Sequence, residues 1–497
     1  MLLLAESLIT LVLLLIAYYK FSFQYWKRQN VPFIQPSIPW GNYPSALKRQ
    51  DNFGELVVRM YHQMKKQGHK YFGIYLFFQP CFVPTDPKFI KLILAKDFQH
   101  FNFRNFYYNE KDDPISAHLL SLNGEKWKRL RSKLTPTFTA GKIKMVFKIF
   151  VECGKIIEHT LEHHAQNRTS FDVKEMFSSY STDVIVNCAF GVEVDRLKKT
   201  EFKNYSQKAL DFNTRRCIVM YLGAVFPKLC RKLGFRQIAK SAGDFFINIV
   251  RNTVEFREKT NTIRNDFLQL LINLKNDESD DWGQFSIEEV AAQCFIFFLA
   301  GFETSATTMS FALYEIAANP HVYEQIMDEM RRVLDKYNGE MCHDAIKEMT
   351  YLGQVVDETL RIHSPAYAVS RTCTQDYHVP ETNIVLKKGF QVLIPIRGIH
   401  SDPEFYPEPE KFKPERFHPD NRQNIEPYSY LPFGEGPRIC IGLRFGHMEV
   451  KTALAVALKN YKFSVSSKTR VPFEPNPKSL LFDVQGGIWL DCERISS

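Results

Sequence analysis

The first pattern along the chain is an apolar run at its amino terminus. Residues 2–19, LLLAESLITLVLLLIAYY, contain only three polar positions, and three basic residues follow within the next ten, beginning with Lys20. About 18 helical residues just span the hydrocarbon core of a bilayer. The run has no basic residue before it and no small-x-small cleavage site after it, which disfavours a cleaved signal peptide. The pattern predicts a retained signal-anchor over residues 1–20 and a basic, proline-rich linker over residues 21–45.

The longest apolar stretch inside the chain predicts a buried helix. Ser286 and Glu289 form a capping-box pattern at its start, and the pattern ends at Pro320. A helix that is apolar nearly all round must cross the interior of the fold. Polar residues nevertheless occupy its middle, from Glu303 to Thr308, and they must either pair with one another or face a ligand.

Strand signals are few in the rest of the chain, where helical patterns dominate. Residues 383–396 and 482–492 alternate apolar and polar side chains around glycines, which predicts two hairpins. We find no internal repeat and no second proline-rich linker. The prediction is a mostly α protein with minor β sheets, folded as a single large domain over residues 46–497 behind the anchor.

Composition and charge narrow the choice of partners. The 497 residues are 45% hydrophobic and 14% aromatic, enough for an extensive core or an apolar cavity. A net charge of +9 suits an anionic membrane surface or an acidic protein partner. Nucleic acid is not expected, because the basic residues are dispersed and no zinc-finger or RNA-binding signature accompanies them. The ten cysteines include no Cys-x-x-Cys pair, which is typical of a reduced compartment without a disulfide framework.

The stretch FGEGPRICIGLRFG, residues 433–446, surrounds Cys440 with glycines. It fails as a dinucleotide fingerprint, because Ile439 stands where a glycine is needed. Glycines let a backbone fold tightly and aim N–H groups at a sulfur, which stabilises a thiolate. A lone thiolate with no second cysteine or histidine nearby suits a metal whose other ligands are not protein, namely haem iron.

This stretch resembles the haem-binding signature Phe-x-x-Gly-x-Arg-x-Cys-x-Gly of the cytochrome P-450 family of haem-thiolate monooxygenases. The matching positions are Phe433, Gly436, Arg438, Cys440 and Gly442. Residues 300–305, AGFETS, are similar to the oxygen-binding motif of the family's long central helix. The resemblance covers the whole chain, implies the mostly α fold of the family, and is strongest to the microsomal type, in particular the insect detoxification branch.

The resemblance implies a role for individual residues. Cys440 becomes the axial thiolate ligand of haem b, Phe433 belongs to the cofactor-binding loop, and Glu303 and Thr304 relay protons to dioxygen. The residues expected at the haem propionates are Trp127, Arg131, Arg371 and Arg438, since guanidinium groups bind carboxylates well. Outside this family, a mid-helix threonine such as Thr304 is expected to bond back to its own helix.

The resemblance also assigns a structural role to Glu358 and Arg361 in the stretch ETLR. By itself such a pair, three residues apart on one helical face, stabilises a helix by only about 0.2–0.5 kcal/mol. The family places the pair in a buried network, with Arg416 of the stretch PERF as its third member.

The implied function is a membrane-anchored monooxygenase of the endoplasmic reticulum, with its catalytic domain in the cytosol. It would insert one oxygen atom from O2 into a lipophilic molecule, either a xenobiotic or an endogenous lipid, terpenoid or steroid. An NADPH-dependent flavoprotein reductase must supply electrons, because the chain has no flavin or iron–sulfur motif, and cytochrome b5 is a second candidate donor. The basic residues expected to face the reductase are Lys126, Lys128, Arg129, Lys133 and Arg444. The segments expected to line the substrate cavity are 101–120, 221–226, 295–302, 366–369 and 479–482.

Three other functions stay open at this point. A haem-thiolate isomerase or dehydratase would need no reductase, and a haem carrier would not turn over; the intact Glu303-Thr304 pair disfavours both. The third is a zinc peptidase, because His159, Glu162 and His163 fit a His-x-x-Glu-His pattern. The two histidines fall away from the apolar stripe of their predicted helix, which favours a solvated face over a metal site.

Overall fold

The computed structural model describes residues 2–42, 51–104, 106–191, 201–202, 204–206, 208–209, 214–276 and 285–495. The longer helices are Leu2–Ser22, Phe53–Lys66, Gly124–Leu134, Ala140–Cys153, Lys155–Asn167, Val173–Phe190, Thr214–Val225, Lys240–Thr260, Phe267–Lys275, Ile287–Ala318, Pro320–Lys336, Thr350–Ile362 and Leu443–Asn460. Shorter helices are Tyr25–Arg28, Pro87–Lys91, Pro227–Lys232, His343–Glu348, Ile396–His400 and Pro419–Arg422. We call Ile287–Ala318 the central helix and Leu443–Asn460 the post-cysteine helix.

The strands form three small sheets beside the helices. They are β1 (Tyr71–Leu76), β2 (Gln79–Pro84), β3 (Phe171–Asp172), β4 (Val369–Thr372), β5 (Tyr377–His378), β6 (Val385–Leu386), β7 (Gln391–Ile394), β8 (Tyr461–Val465) and β9 (Trp489–Arg494). The largest sheet has the order β1-β2-β7-β4, the second β3-β9-β8, and the third β5-β6. Only the β2–β7 pair is parallel among the described pairs. The predicted fold class, mostly α with minor β sheets, is confirmed.

Both predicted hairpins are wrong in their pairing, although strands do occur in them. Within residues 383–396, β6 pairs with β5, whereas β7 joins β4 and β2 in a different sheet. Within residues 482–492, β9 instead pairs with β8 and β3. Alternation of apolar and polar residues identifies a strand and its buried face, but the partner is chosen by contacts that are distant in sequence.

The central helix begins and ends where the sequence predicts. The N–H of Ser286 donates to the Glu289 carboxylate at 2.9 Å, and the N–H of Glu289 donates to the Ser286 hydroxyl at 3.1 Å. The helix packs against Val173–Phe190, Lys240–Thr260 and the post-cysteine helix. Its phenylalanines 295 and 298 are fully buried, and burial of such a side chain stabilises the fold by about 1.5–3 kcal/mol.

The amino-terminal helix Leu2–Ser22 is long and apolar enough to span a membrane. Its leucines project away from the body, with Leu3, Leu8 and Leu14 exposed by 79%, 62% and 63%. The central helix passes the same test of length and composition but lies mostly inside the body. Of these two helices, the amino-terminal one is the one whose apolar side chains are free to contact a bilayer.

The segment after the anchor packs on the body. Trp26 is fully buried, and its indole N–H donates to the carbonyl of Ile74 at 3.0 Å. Gly73 makes room for this ring, because a Cβ at that position would lie 2.4 Å from the indole. Of the predicted linker, residues 43–45 lie outside the described residues. The domain boundaries stay a prediction, and at least the part of the linker around Trp26 contributes to the core.

A buried ionic network fixes the helix Thr350–Ile362 to the chain that leads to Cys440. The side chains of Glu358 and Arg361 have no exposed surface and pair at 2.7 Å. Arg361 also donates to the carbonyls of His400 and Pro409, at 2.8 and 2.9 Å. Arg416 Nε lies 3.3 Å from Glu358 Oε1. The predicted three-member network is confirmed.

Candidate functional site

Cys440 lies in a tight loop just before the post-cysteine helix. The N–H of Cys440 donates to the Phe433 carbonyl at 2.9 Å, which closes the loop. Gly436 has a φ of +74°, and a Cβ there would lie 1.8 Å from the carbonyl oxygen of Leu94. Only glycine fits this position, because both its backbone conformation and the close approach exclude a side chain.

Burial and the polar surroundings of the Cys440 sulfur act on its pKa in opposite directions, and burial has the larger effect. Burial raises the pKa of the Cys440 thiol, whereas the N–H of Gly442 and the guanidinium groups of Arg131 and Arg104 lower it. The positive end of the post-cysteine helix, which starts at Leu443, acts in the same direction. A cation bound at the sulfur is the partner that would complete a stable thiolate here.

A cavity of about 540 Å³ opens over the sulfur, a size typical of sites for small molecules and cofactors. The central helix contributes Ala300, Thr304, Ser305 and Thr308 to its wall. Other lining side chains are mainly apolar and aromatic; they include Phe106, Leu119, Leu120, Trp127, Ile296, Phe297, Val356, Leu360, Leu393 and Phe433.

The predicted substrate segments line the cavity with one exception. Segments 101–120, 295–302, 366–369 and 479–482 each contribute residues to the wall. Segment 221–226 contributes no residue to the wall. Tyr221, the first residue of that segment, packs instead against Phe77, with ring centroids 3.8 Å apart. Cys217, one turn earlier in the same helix, lines the cavity in its place.

Four arginines form a cluster: Arg104, Arg131 and Arg438 line the cavity over the sulfur, and Arg371 adjoins Arg104 and Arg438. Three of them donate hydrogen bonds to neutral oxygens: Arg104 donates to the Arg438 carbonyl at 2.9 Å, Arg371 to that of Ser370 at 2.9 Å, and Arg438 to those of Asn102 and Leu122 at 2.8 Å. Within the described part of the chain, no carboxylate lies within 4 Å of any of the four. Among the residues that the structure describes, Nε of Arg371 and Nη1 of Arg438 find no hydrogen-bond partner.

Burial and mutual repulsion weaken the protonated forms of these arginines. Burial, followed by the neighbouring guanidinium groups, lowers the pKa of Arg438 to about 8 and that of Arg371 to about 9. Burial likewise lowers the pKa of Arg104 to about 10. Buried cations normally have anionic partners, because an unpaired buried charge is costly. The cluster therefore fits a bound group that carries carboxylates, as the two propionates of haem b do.

Trp127 joins this cluster from the helix Gly124–Leu134. It is buried, and the guanidinium carbon of Arg438 lies 4.0 Å from the centroid of its ring. This cation–π contact orients the guanidinium toward the cavity wall. The structure thus brings together Trp127, Arg131, Arg371, Phe433, Arg438 and Cys440, all predicted from the sequence.

Glu303 and Thr304 are placed differently from each other. Thr304 lines the cavity, and its hydroxyl donates to the carbonyl of Ala300 at 2.5 Å. Glu303 is not among the lining residues; its carboxylate pairs with Lys174 at 2.7 Å, and Lys174 in turn pairs with Asp483 at 2.8 Å. The proton-relay roles of Glu303 and Thr304 stay a prediction.

Arg104 was not singled out from the sequence as a cofactor-binding residue. Arg104 is the only charged residue in the aromatic stretch FNFRNFYY, and no motif in that stretch indicates a function for it. Its position beside the sulfur depends on Arg438, 334 residues later in the chain, whose carbonyl it contacts. Only the tertiary structure could reveal it.

The His-x-x-Glu-His pattern does not form a metal site. Glu162 accepts from the Tyr461 hydroxyl at 2.7 Å and pairs with Arg494 at 3.2 Å. His163 faces the side-chain amide of Asn167 at 3.3 Å. Among the residues that the structure describes, no group of three histidine, cysteine or acidic side chains could hold a metal ion. The zinc peptidase alternative has no structural support.

Known proteins resemble this chain over almost its full length. A family model described as Cytochrome P450 matches residues 36–489. The protein named Probable cytochrome P450 6a14, of Drosophila melanogaster, is 40% identical over 491 residues, which cover 95% of this chain and 96% of that protein. Cytochrome P450 6A1 of Musca domestica is 38% identical over 484 residues, with 96% and 95% covered. Cytochrome P450 6a8 of Drosophila melanogaster is 37% identical over 496 residues, with 98% of each chain covered.

Proposed function

Because the chain belongs to the cytochrome P450 family, we propose that Cys440 is the axial ligand of its haem and that the cavity over the sulfur holds the molecule to be oxidised. Family membership makes the chain a haem-thiolate monooxygenase, which requires an electron-donating partner and acts on lipophilic molecules. The observation that carries the residue assignment is the position of Cys440 in an apolar cavity beside a cluster of four arginines that have no carboxylate partner among the described residues.

The chemistry of each group around the cavity indicates its role in the proposed reaction. The haem, when bound, supplies the reductive activation of dioxygen. The N–H of Gly442 and the start of the post-cysteine helix hold negative charge on the Cys440 sulfur. Arg104, Arg131, Arg371 and Arg438 hold the propionates, since guanidinium groups donate well to carboxylates. The apolar walls exclude water and select lipophilic substrates.

The proposed electron donor is an NADPH-dependent flavoprotein reductase, with cytochrome b5 as a second donor. Of the basic residues predicted for its docking face, Lys128 and Arg444 are exposed. Lys126 is exposed but paired with Glu110 at 2.8 Å, and Lys133 lies over the ring of Phe285 at 5.3 Å. An exposed basic face attracts an acidic flavoprotein and makes the rate of association sensitive to salt.

The proposed location is the membrane of the endoplasmic reticulum, with the catalytic domain in the cytosol. The exposed apolar helix Leu2–Ser22 supports membrane attachment. The basic residues just after it, beginning with Lys20, support a cytosolic body by the positive-inside rule.

The function is tested with the full-length protein in vesicles with reductase, NADPH and isotopically labelled dioxygen. A panel of lipophilic xenobiotics, fatty acids, terpenoids and steroids serves as substrates. We expect reductase-dependent incorporation of one labelled oxygen atom into at least one substrate. Rearrangement or dehydration without reductase would instead indicate an isomerase or dehydratase, and bound haem without any product would indicate a carrier.

Replacing Thr304 by alanine is expected to uncouple the reaction. If its hydroxyl leaves the Ala300 carbonyl and delivers protons in the cavity, product per NADPH should fall and peroxide should rise, because a positioned proton donor contributes roughly 10²–10⁴-fold. Haem content should stay near wild type. Ser310→Ala is the matched control, since Ser310 also bonds back to its helix, at 2.7 Å, but does not line the cavity. If product per NADPH is unchanged in Thr304→Ala, the hydroxyl only forms its hydrogen bond within the helix and does not deliver protons.

Deleting residues 2–20 is expected to weaken membrane attachment without abolishing it. The helices Thr214–Val225 and Pro227–Lys232 expose Ile218, Leu229 and the intervening Phe226 by about half, and basic residues flank them, which suits the interface of a bilayer. Sedimentation with vesicles at low and high salt measures the attachment. Full solubility at low salt would contradict the prediction.

A protein that lacks residues 2–28 should also unfold more easily than the wild type, because it has lost the buried side chain of Trp26.

A further inference from the structure

A loop near the carboxyl terminus forms part of the cavity wall. We call residues 476–483 the terminal loop. Its tip lines the cavity with Pro477, Ser479, Leu480 and Leu481. The two ends of the loop are paired, because the N–H of Asn476 donates to the Asp483 carbonyl at 2.8 Å and its side-chain amide to the Asp483 carboxylate at 2.9 Å. The position of the tip therefore depends on what holds this paired base.

The tip of the terminal loop lies at the mouth of the cavity. Leu480 lines the cavity and is nevertheless 48% exposed, so the cavity reaches the protein surface beside it. Residues 51–54, around the start of the helix Phe53–Lys66, line the cavity next to the tip. The side-chain amide of Asn52 donates to the carbonyl of Ser479 at 3.2 Å. A molecule that enters the cavity here passes the tip.

Lys174 ties the base of the terminal loop to the central helix. Its Nζ lies 2.8 Å from Asp483 Oδ1 in the loop and 2.7 Å from Glu303 Oε1 in the central helix. The side chains of Lys174, Asp483 and Glu303 are exposed by only 24%, 22% and 17%. Water and salt therefore screen these ion pairs less than pairs on an open surface. Burial alone lowers the pKa of Lys174, but Glu303 and Asp483 raise it above its ordinary value, so the ammonium group stays charged.

The backbone fixes Lys174 independently of the terminal loop. Lys174 is the second residue of the helix Val173–Phe190, and its N–H donates at 2.9 Å to the carboxylate of Asp172, which caps the helix. Asp172 lies in β3, which pairs with β9. The lysine is therefore a fixed point to which the loop is attached.

Other contacts keep the terminal loop folded when the ion pair is absent. Phe482 is buried and stacks on Phe311 of the central helix, with ring centroids 4.9 Å apart. Its N–H donates to the Pro365 carbonyl at 2.8 Å. The amide of Asn52 also donates to the Asn476 carbonyl at 2.8 Å. Because these contacts do not involve Lys174, loss of its ion pairs should loosen the loop without unfolding it.

We propose that Lys174 is a positioning residue that determines specificity by size. By holding Asp483 against the central helix, it keeps the tip of the terminal loop across the mouth of the cavity and restricts the bulk of molecules that enter. This inference rests on the proposed function, in which the cavity receives the molecule to be oxidised. Lys174 itself contacts neither substrate nor haem, and Glu303 is its second partner in the tether.

Two substitutions in the holoenzyme break the tether from different sides. Lys174→Met removes the ammonium group, whereas Asp483→Asn removes the charge of the loop and leaves the pair of Lys174 with Glu303 in place. Lys174→Arg is the conservative variant, since a guanidinium group can pair with both carboxylates. Lys144→Met is the matched control, because Lys144 also pairs at 2.8 Å, with Asp344, but both side chains are at least half exposed and neither lines the cavity.

Trypsin measures the freedom of the loop directly, because Lys478 is an exposed cleavage site at its tip. The rate of cleavage follows the population of the open loop when opening and closing are fast. We expect cleavage after Lys478 to be about tenfold faster in Lys174→Met and Asp483→Asn, which corresponds to about 1.4 kcal/mol. This effect lies between those typical of exposed and of buried ion pairs. Lys174→Arg and Lys144→Met should stay within about twofold of wild type.

Ligands of haem iron measure the size limit without requiring turnover. The probes are imidazole, 1-benzylimidazole and 1-tritylimidazole, which bind iron through the same type of nitrogen and differ in bulk. Stopped-flow absorption gives their association rates with the ferric holoenzyme. In the two tether variants, the association rate of 1-tritylimidazole should rise about tenfold relative to that of imidazole, because only the bulky probe needs the open loop.

The outcomes separate a tether from a purely structural role. Faster cleavage and a gain confined to the bulky probe in both tether variants, with wild-type behaviour in Lys174→Arg, support the proposal. An unchanged cleavage rate, an equal effect on all three probes, or an equal effect in Lys144→Met would overturn it. Failure of the proposed function appears instead in the wild type, as a protein that inserts no oxygen into any substrate, and cleavage after Lys478 still decides whether the tether exists.

Discussion

Replacing Cys440 by serine is expected to abolish turnover and to remove the thiolate signature of the bound haem. A serine hydroxyl is not ionised near neutral pH, whereas a thiol ionises readily when a cation binds it. Loss of a hydrogen-bond partner of a metal ligand typically costs 10–100-fold in metal affinity or activity, and loss of the ligand itself should cost more than about 100-fold. Absorption spectra, haem content and product formation are measured on the purified protein.

The matched control is Cys217→Ser, because Cys217 lines the same cavity from the helix Thr214–Val225. Unlike Cys440, it is not in the glycine loop that aims an N–H at the sulfur. Its replacement should leave the thiolate signature intact. Normal spectra and turnover in Cys440→Ser would contradict the assignment, and loss of the signature in Cys217→Ser alone would transfer the ligand role to that residue.

Replacing Glu358 by alanine is expected to destabilise the whole domain. The substitution leaves Arg361 buried and charged, without the carboxylate that it contacts at 2.7 Å. Removal of one partner of a buried ion pair typically costs about 3–5 kcal/mol in the free energy of unfolding, a large part of the stability of an ordinary domain. Urea unfolding followed by circular dichroism measures the change, and haem content should fall with it.

Glu348→Ala serves as the control for this substitution. Glu348 pairs with Lys336 at 2.8 Å, but both side chains are exposed. Exposed ion pairs contribute little to stability because water and salt screen them. The control should unfold at the same urea concentration as the wild type. Equal midpoints for both variants would contradict a stabilising role for the buried network.

Local patterns determined what the sequence could predict. The capping box at Ser286, the loop around Cys440 and the pair Glu358–Arg361 each lie within a few residues of sequence. Their hydrogen bonds or glycine requirements are fixed by the backbone geometry of one element. The expected cofactor-loop residues accordingly lie together in the structure.

Features that join distant parts of the chain could not be predicted. The strands of residues 383–396 have apolar alternation that suits a hairpin, yet their partners lie in other segments. Arg104 becomes part of the arginine cluster only because its loop folds over the Arg438 carbonyl. Glu303 is turned toward Lys174, and a helix pattern gives no information on which charged residue of another helix will be close.

The most direct test of the central claim is the carbon monoxide difference spectrum of the reduced wild-type protein. The claim is that this chain holds haem through the Cys440 thiolate in the cavity lined by the central helix. We expect the red-shifted Soret band that a thiolate-ligated ferrous haem gives with carbon monoxide, in an amount that matches the haem content. A band typical of a neutral axial ligand in freshly prepared, active protein, or a purified full-length protein that takes up no haem, would contradict the claim.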